Sequence, residues 1–310
     1  SASRQMSRPA ISIQSGGGWT FGSPSVLMMF YRAPGELEGE LAEMDECMPH
    51  YYKITNGHGR GAELLMDAEA AYLQGAWEKA AVLLERARAD AAGQENMTLC
   101  CDFLALRLAL CGKGKEGYDF AAKRAALLQK HDGVQVHLLE SIAAYFYALQ
   151  GRPEQAPELF REHKLAEVSF FGPCRPMMSL IEQQVWLAQG EYVKVIAHSE
   201  GLLRRCEAMH YGLVGLQARI QLAAAQLRFG QRAEARAALA AALLDAVQDD
   251  FWVLFVEQYP ALAPLLEEED WAVCEPRLWP FVARILPAGR AFTARLGLPA
   301  PAPELPLTDR

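Results

Sequence analysis

Cysteine and histidine are the side chains here with the widest chemical range, because both bind metals and both act in catalysis. No two cysteines are spaced as C-x-x-C, the arrangement that gives a structural zinc ion its paired ligands. The seven cysteines are Cys47, Cys100, Cys101, Cys111, Cys174, Cys206 and Cys274. We therefore expect no metal site, and free thiols in a reducing cytoplasm.

His58 is the most suggestive histidine, because glycines flank it in the stretch Asn56-Gly-His-Gly-Arg-Gly61. Glycine has no Cβ, so the backbone and the imidazole can both come close to a ligand. We therefore include His58 among the candidate ligand-binding residues. The alternative is a turn before the first repeat helix, in which His58 caps that helix or fills space.

The glycine-rich stretch Gly112-Lys-Gly-Lys-Glu-Gly117 does not have the spacing or the hydroxyl residue of a phosphate-binding P-loop. The sequence also contains no G-x-S-x-G motif and no H-E-x-x-H motif. We expect no enzymatic activity, and no cofactor within these residues.

The charge and the hydropathy of the chain restrict its partners. It has 30 basic and 38 acidic side chains and a formal net charge of −8. Binding to a DNA backbone is driven by clustered lysine and arginine, so we do not expect this chain to hold DNA by itself. No apolar stretch reaches the length of a signal peptide or of a membrane span. We predict a soluble cytoplasmic protein without membrane contact.

A repeat organises the helices that must position any binding residues. Five helical stretches each run into a glycine that is followed by another helical stretch, and these glycines stand 37 to 40 residues apart. They are Gly75, Gly112, Gly151, Gly190 and Gly230. So regular a period is typical of stacked helical hairpins, with glycine at the end of each first helix, where a positive φ is favoured.

Small side chains recur at matched distances from these glycines, where they allow close packing of neighbouring helices. Five residues after the glycines stand Ala80, Gly117, Ala156, Val195 and Ala235. The pattern predicts an all-α chain with five helical-hairpin repeats over residues 61–248. We expect an N-terminal extension with a leading helix over 1–60 and capping helices over 249–296, among them Trp271–Leu286.

The stretch Tyr72-Leu-Gln-Gly-Ala-Trp-Glu-Lys-Ala80 resembles the turn and second helix of tetratricopeptide repeats. The resemblance implies a superhelix, or α-solenoid, in which the first helix of each hairpin lines a concave groove. By this analogy, the side chains six, ten or thirteen residues before each glycine point into the groove. They include Glu69, Asp102, Ser141, Tyr145, Gln184 and Gln217. This mixture suits a small ligand with polar and apolar parts, or a peptide. The alternative is that these are ordinary solvated or interhelical side chains.

Two longer stretches, residues 23–75 and 233–268, resemble the sensor region of large LuxR-family transcription regulators of the maltose-activator type. The chain ends in a linker (297–310), whose proline-rich part is 297–306. The final Leu307-Thr-Asp-Arg310 resembles the first residues of a LuxR-type helix-turn-helix. The resemblance implies a nucleotide-binding switch, a sensor array and a DNA-binding domain in one regulator. We expect this chain to be the sensor array, so that DNA is bound only through a C-terminal domain absent here.

Two functions follow as hypotheses. In the first, a small-molecule effector binds the concave groove and shifts a transcription regulator between two states. In the second, the same groove holds a protein or a peptide, as in a tetratricopeptide scaffold. Stabilisation by a metabolite favours the first hypothesis, and saturable peptide binding favours the second.

Overall fold

The computed structural model describes residues 22–298 except for 115–116, 131–132, 169, 171 and 269–270. The regular elements within this part are all helical, which confirms the predicted fold class at that level. Among the same residues, no helix combines the length and the apolarity needed to cross a bilayer. The Leu-Thr-Asp-Arg end and nearly all of the predicted linker 297–310 lie outside the described residues.

The helices follow one another with short connections. In chain order they are α1 (Val26–Phe30), α2 (Leu37–Ile54), α3 (Ala62–Leu73), α4 (Trp77–Asp90), α5 (Glu95–Leu110), α6 (Phe120–Gln129), α7 (Gly133–Leu149), α8 (Glu158–Arg161), α9 (Arg175–Gln189), α10 (Tyr192–Met209), α11 (Gly212–Arg228), α12 (Arg232–Ala246), α13 (Val253–Glu257), α14 (Tyr259–Leu266), α15 (Trp271–Cys274) and α16 (Trp279–Arg295).

Most of the helices between α3 and α12 pack as neighbouring pairs. Within pairs, α3 contacts α4, α9 contacts α10 and α11 contacts α12. Between pairs, α3 contacts α5, α5 contacts α7, α7 contacts α9 and α9 contacts α11. All five repeat glycines have positive φ, as the sequence predicts for the ends of the first helices. The small residues Ala80, Ala156, Val195 and Ala235 are buried, whereas Gly117 is exposed.

The third hairpin differs from the expected repeat. After Gly151 the chain forms a 3-10 turn, Pro153–Gln155, and the four-residue α8 in place of a long second helix. Pro153 and Pro157 explain the difference, because proline has no N–H to donate and disfavours helical backbone in the residue before it.

Two further differences near the ends of the array occur at proline residues. The apolar spacing over residues 36–49 predicts a leading helix that ends at Pro49. Helix α2 instead continues to Ile54 with Pro49 exposed inside it, while Met44 and Met48 are buried. The capping helix expected over Trp271–Leu286 is divided into α15 and α16, with Pro276 in the connection.

The segments before and after the array pack against the first helices of its hairpins. Helix α1 contacts both α3 and α11, α13 contacts α3, and α14 contacts α11. We call the surface formed by α3, α5, α7, α9 and α11 the inner face. Because α1, α13 and α14 cover this face, its apolar residues, such as Leu65, Leu180 and Ile220, are removed from water.

Candidate functional site

A buried ion pair lies at the centre of the inner face. Arg107 on α5 donates from Nε to Glu257 Oε1 over 2.7 Å and from Nη2 to Glu257 Oε2 over 3.0 Å. Each residue is 3% exposed. Two parallel hydrogen bonds between a guanidinium and a carboxylate form the strongest type of protein ion pair, and they fix α13 against α5.

Two tyrosines complete the environment of this carboxylate. The Tyr72 hydroxyl donates to Glu257 Oε1 over 2.7 Å, and the Tyr145 hydroxyl donates to Oε2 over 3.1 Å. Burial, followed by the charge of Glu257, raises the pKa of Tyr145 far above its ordinary value, so its phenol remains a donor. We call Tyr72, Arg107, Tyr145 and Glu257 the central polar cluster.

Three glutamines extend the polar surface toward α9 and α11. Gln184 Oε1 accepts a hydrogen bond from Gln258 Nε2 over 2.6 Å and another from Gln221 Nε2 over 3.0 Å. All three residues are buried. Gln258 directly follows Glu257, so one short stretch between α13 and α14 joins both sets of polar residues to the array.

A cavity of about 210 Å³ opens beside these polar groups. Its polar lining comes from Gln184, Tyr192, Arg228, Glu257 and Gln258. Its apolar lining includes leucines from the ends of α7 and α9, together with residues of α14. The lining offers a carboxylate, a phenol, a guanidinium and two amides as hydrogen-bonding groups. The cavity can take a molecule that offers both hydrogen-bonding atoms and an apolar part.

Two of the predicted groove residues, Tyr145 and Gln184, lie at this site. Tyr145 belongs to the central polar cluster, and Gln184 lines the cavity. Both are almost completely buried, because α13 and α14 cover them. Their role in binding an effector stays a prediction.

Three other predicted groove residues lie away from the cavity and bond within the chain. Glu69 Oε2 accepts a hydrogen bond from the backbone N–H of Leu27 over 2.7 Å. The Ser141 hydroxyl donates to its own helix over 2.7 Å, and Gln217 Nε2 does the same over 3.5 Å. All three are buried, so at these positions the expected open groove is closed by the chain itself.

Asp102 lies in a different environment from the other groove candidates. Its Oδ1 accepts from Arg88 Nη1 over 2.5 Å and its Oδ2 from the Tyr118 hydroxyl over 2.8 Å. It lines a second cavity, beside α4, and is not among the residues around Gln184. The offsets from the repeat glycines predict one groove for Asp102, Tyr145 and Gln184, but Asp102 does not lie with the other two.

His58 stands in an exposed turn between α2 and α3. Asn56 and the three glycines of this turn have positive φ, and the Gly59 N–H donates to Gln94 Oε1 over 2.6 Å. A turn therefore precedes α3, as in the alternative, but the N-cap of α3 is Gly61, and the exposed His58 neither caps the helix nor fills space. The structure does not bring His58 to the cavity, and its ligand-binding role stays a prediction.

Sequence reasoning missed Arg107, Glu257 and Gln258, although two of them carried a signal. Arg107 stands in the apolar run Phe103–Cys111, and Glu257 ends the apolar run Phe251–Val256. A single charge inside an otherwise apolar stretch is typical of a buried ion pair, since an unpaired charge would be costly there. The partner of each charge, however, has no signature in the sequence.

Among the described residues, no group of three or more histidine, cysteine, aspartate or glutamate side chains is placed to hold a metal ion. A scan against protein-family models, a search of curated proteins and a search of solved structures each gave no match to the chain.

Proposed function

We propose that this chain is the effector-sensing domain of a LuxR-type transcription regulator, with a small-molecule site in the cavity beside Gln184 and Gln258. One observation carries the proposal: the cavity lies where the stretch Glu257-Gln258 meets the helix array, and residues of both line it. A bound molecule would therefore contact two parts of the chain that are far apart in sequence.

This placement allows a bound molecule to affect the arrangement of several helices. Glu257 is bonded to α3, α5 and α7, and Gln258 is bonded to α9, so a small change at the cavity acts on several helices. A ligand that binds one arrangement better than another shifts the equilibrium by its difference in affinity. The shift would then be passed to a DNA-binding domain outside this chain.

The identification as a regulator rests on the resemblance of residues 23–75 and 233–268 to LuxR-family sensor regions. The regular glycine spacing and the packing of neighbouring helix pairs support a tetratricopeptide-like superhelix. The proposal places the protein in the cytoplasm, without enzymatic activity and without a cofactor in these residues.

A thermal-shift screen of the purified chain against a metabolite library tests the proposal. We expect one chemical class to raise the melting temperature in a dose-dependent manner, because a ligand that binds only the folded state stabilises it by mass action. The shift should disappear in Gln184→Ala and persist in Gln129→Ala, whose side chain is exposed on α6. A library without any stabilising compound, or a shift that survives Gln184→Ala, would contradict the site.

A second candidate function, a scaffold for protein partners, is favoured by the way α1 lies on the inner face. This short helix is fully buried, is capped by Ser25, and donates the Leu27 N–H to Glu69, as a bound peptide would. Fluorescence anisotropy of a labelled peptide with the sequence of residues 23–32 tests this candidate. Saturable binding that a scrambled peptide lacks would support it, and equal binding of both peptides would exclude it.

A further inference from the structure

Helix α8 and the turn that follows it are held against α9 by two side-chain hydrogen bonds. Gln189 Nε2 donates to the backbone oxygen of Arg161 over 3.0 Å. The indole N–H of Trp186 donates to Nδ1 of His163, and the centroids of the two rings are 5.6 Å apart. We call the hydrogen bond between Trp186 and His163 the latch. Trp186 is only 6% exposed, so little water reaches its ring.

The backbone at His163 has a conformation that normally selects glycine. Its φ is +59°, in the left-handed region. The N–H of His163 donates to the oxygen of Phe160 over 3.4 Å, and the N–H of Lys164 donates to that of Leu159 over 2.9 Å. These are the two bonds of a Schellman helix end, where glycine is the usual residue at the position of His163. A histidine there has a conformational cost, which points to a role for its imidazole.

The latch exists only while the imidazole of His163 is neutral. An indole N–H can only donate, so Nδ1 of His163 must accept and must carry no proton. The neutral ring then has its proton on Nε2. A protonated ring donates from both nitrogens, so Nδ1 and the Trp186 N–H would be two donors facing each other. Protonation therefore removes the latch.

Charged and titratable side chains surround the latch from three elements. They are Glu182 on α9, Glu191, Lys194 and His198 on α10, and Arg161, Glu162 and Lys164 in the segment of His163 itself. Burial and then the charge of Lys194 lower the pKa of His163, against the opposing charge of Glu191. Burial raises the pKa of Glu182 to about 7, so Glu182 is already neutral when His163 takes up a proton.

We propose that His163 and Trp186 form an acid-sensitive latch, which holds α8 on α9 near neutral pH and releases it when His163 is protonated. In the released form water solvates the imidazole, so this form binds a proton more tightly than the latched form does. Protons therefore favour release as the pH falls below the ordinary range of imidazole titration. Gln184 also lies on α9, but the latch depends neither on the proposed effector site nor on its ligand.

Nuclear magnetic resonance of the full chain with isotope-labelled tryptophan and histidine tests the latch. Trp186→Phe and His163→Asn identify the two ring signals by their loss. We expect the indole signal of Trp186 to change between pH 8 and pH 5 with the same midpoint as the ring signal of His163, below the ordinary value of 6.5.

His163→Asn should make the indole signal independent of pH. Asparagine tolerates a positive φ, and its amide oxygen accepts the indole N–H without titrating. His198→Asn is the matched control, because His198 also contacts the Trp186 ring, with the centroids 4.9 Å apart, whereas the N–H is bonded to His163. The change with pH should remain in this variant.

Hydrogen exchange measures the release itself. The amide protection of residues 158–164, corrected for the intrinsic rate at each pH, should fall about tenfold from pH 8 to pH 5. The reason is that one neutral hydrogen bond corresponds to about a tenfold difference in proton affinity. His163→Asn should keep its protection at both pH values.

Circular dichroism and melting temperature verify that each variant is folded. If His163→Asn is not, Trp186→Phe provides the test, since loss of the indole donor should raise the titration midpoint of His163 by about one pH unit. An indole signal that titrates equally in His163→Asn and in the wild type would overturn the assignment to His163. A wild-type midpoint of His163 at or above 6.5, or equal protection at both pH values, would overturn the latch.

Discussion

Glu257 accepts hydrogen bonds from Arg107, Tyr72 and Tyr145, which lie on three different helices. Its charge is compensated only while α3, α5 and α7 hold their positions around α13. A carboxylate this deeply buried is costly when any of its donors is lost, because water cannot replace it. The stability of the inner face therefore depends on every buried polar group having a hydrogen-bond partner, more than on the net strength of any one hydrogen bond.

Replacing Arg107 by methionine should lower the free energy of unfolding by about 3–5 kcal/mol, because Glu257 would remain buried without its cation. Urea denaturation measures the loss. Arg204→Met is the matched control, since Arg204 pairs with Glu200 on the exposed surface of α10 and should cost at most about 0.5 kcal/mol. Equal effects of the two substitutions would contradict the structural role given to Arg107.

Glu69 should make the stability of the protein fall as pH rises. Burial raises the pKa of Glu69 from 4.5 to about 7, against the hydrogen bond from Leu27. Between these two values the folded state keeps a proton that the unfolded state has lost, so folding is favoured less at higher pH. Relative to Glu69→Gln, the wild type should lose about 2 kcal/mol between pH 5 and pH 8.

Chemical denaturation at the two pH values provides the measurement. Burial also raises the pKa of Glu182 to about 7, so Glu182→Gln is compared in parallel to separate its contribution. If the wild type and Glu69→Gln change equally with pH, Glu69 does not titrate in this range.

At the scale of elements, glycine in α16 allows close contact with α14. A Cβ built at Gly289 would lie 2.3 Å from the ring of Tyr259, a distance at which the two helices must separate. Glycine within a helix usually costs about 1 kcal/mol relative to alanine, so it is retained here for its size.

Gly289→Ala should therefore lower the free energy of unfolding by about 1–3 kcal/mol, despite the better helix propensity of alanine. Gly201→Ala is the control, because a Cβ at Gly201 in α10 meets only Arg205 Nη1, at 3.8 Å. We expect it to raise stability by up to about 1 kcal/mol. Thermal unfolding compares both variants, and a stabilising Gly289→Ala would show that α14 and α16 are less closely packed.

At the scale of the molecule, Asp249 joins the two ends of the array. It accepts hydrogen bonds from the Tyr31 hydroxyl over 2.5 Å, the Gly35 N–H over 2.6 Å and the Leu37 N–H over 3.2 Å. An open helical array holds only nearest-neighbour contacts and can unfold in parts. Contacts of α1 with both α3 and α11 should instead couple the first and last hairpins.

We expect unfolding in urea to be a single transition, with the same midpoint by tryptophan fluorescence and by far-ultraviolet circular dichroism. Asp249→Ala should lower the midpoint through a loss of about 1–3 kcal/mol, because three donors lose their acceptor. Glu207→Ala, at an exposed position of α10, should have no measurable effect. Separate midpoints for the two probes in the wild type would show that the hairpins unfold independently.

The sequence was sufficient to predict the helical class, the glycines that end the first helices and most of the small residues packed after them. These features arise from local backbone preferences and from a repeated pattern, both of which are readable along the chain. Pro153 and Pro157 also indicate the irregular third hairpin in the local sequence, although the regular glycine period suggests an ordinary one.

Only the tertiary structure decided what covers the inner face and which polar residues meet there. Arg107 and Glu257 are 150 residues apart, and they pair only because α13 packs back against the helix array. The same packing buries Tyr145 and Gln184 and brings Asp102 together with Arg88 and Tyr118. Offsets from a glycine specify which face of one helix a residue is on. Burial and pairing depend instead on segments distant in sequence that pack over that face, and no local sequence pattern indicates which segments these are.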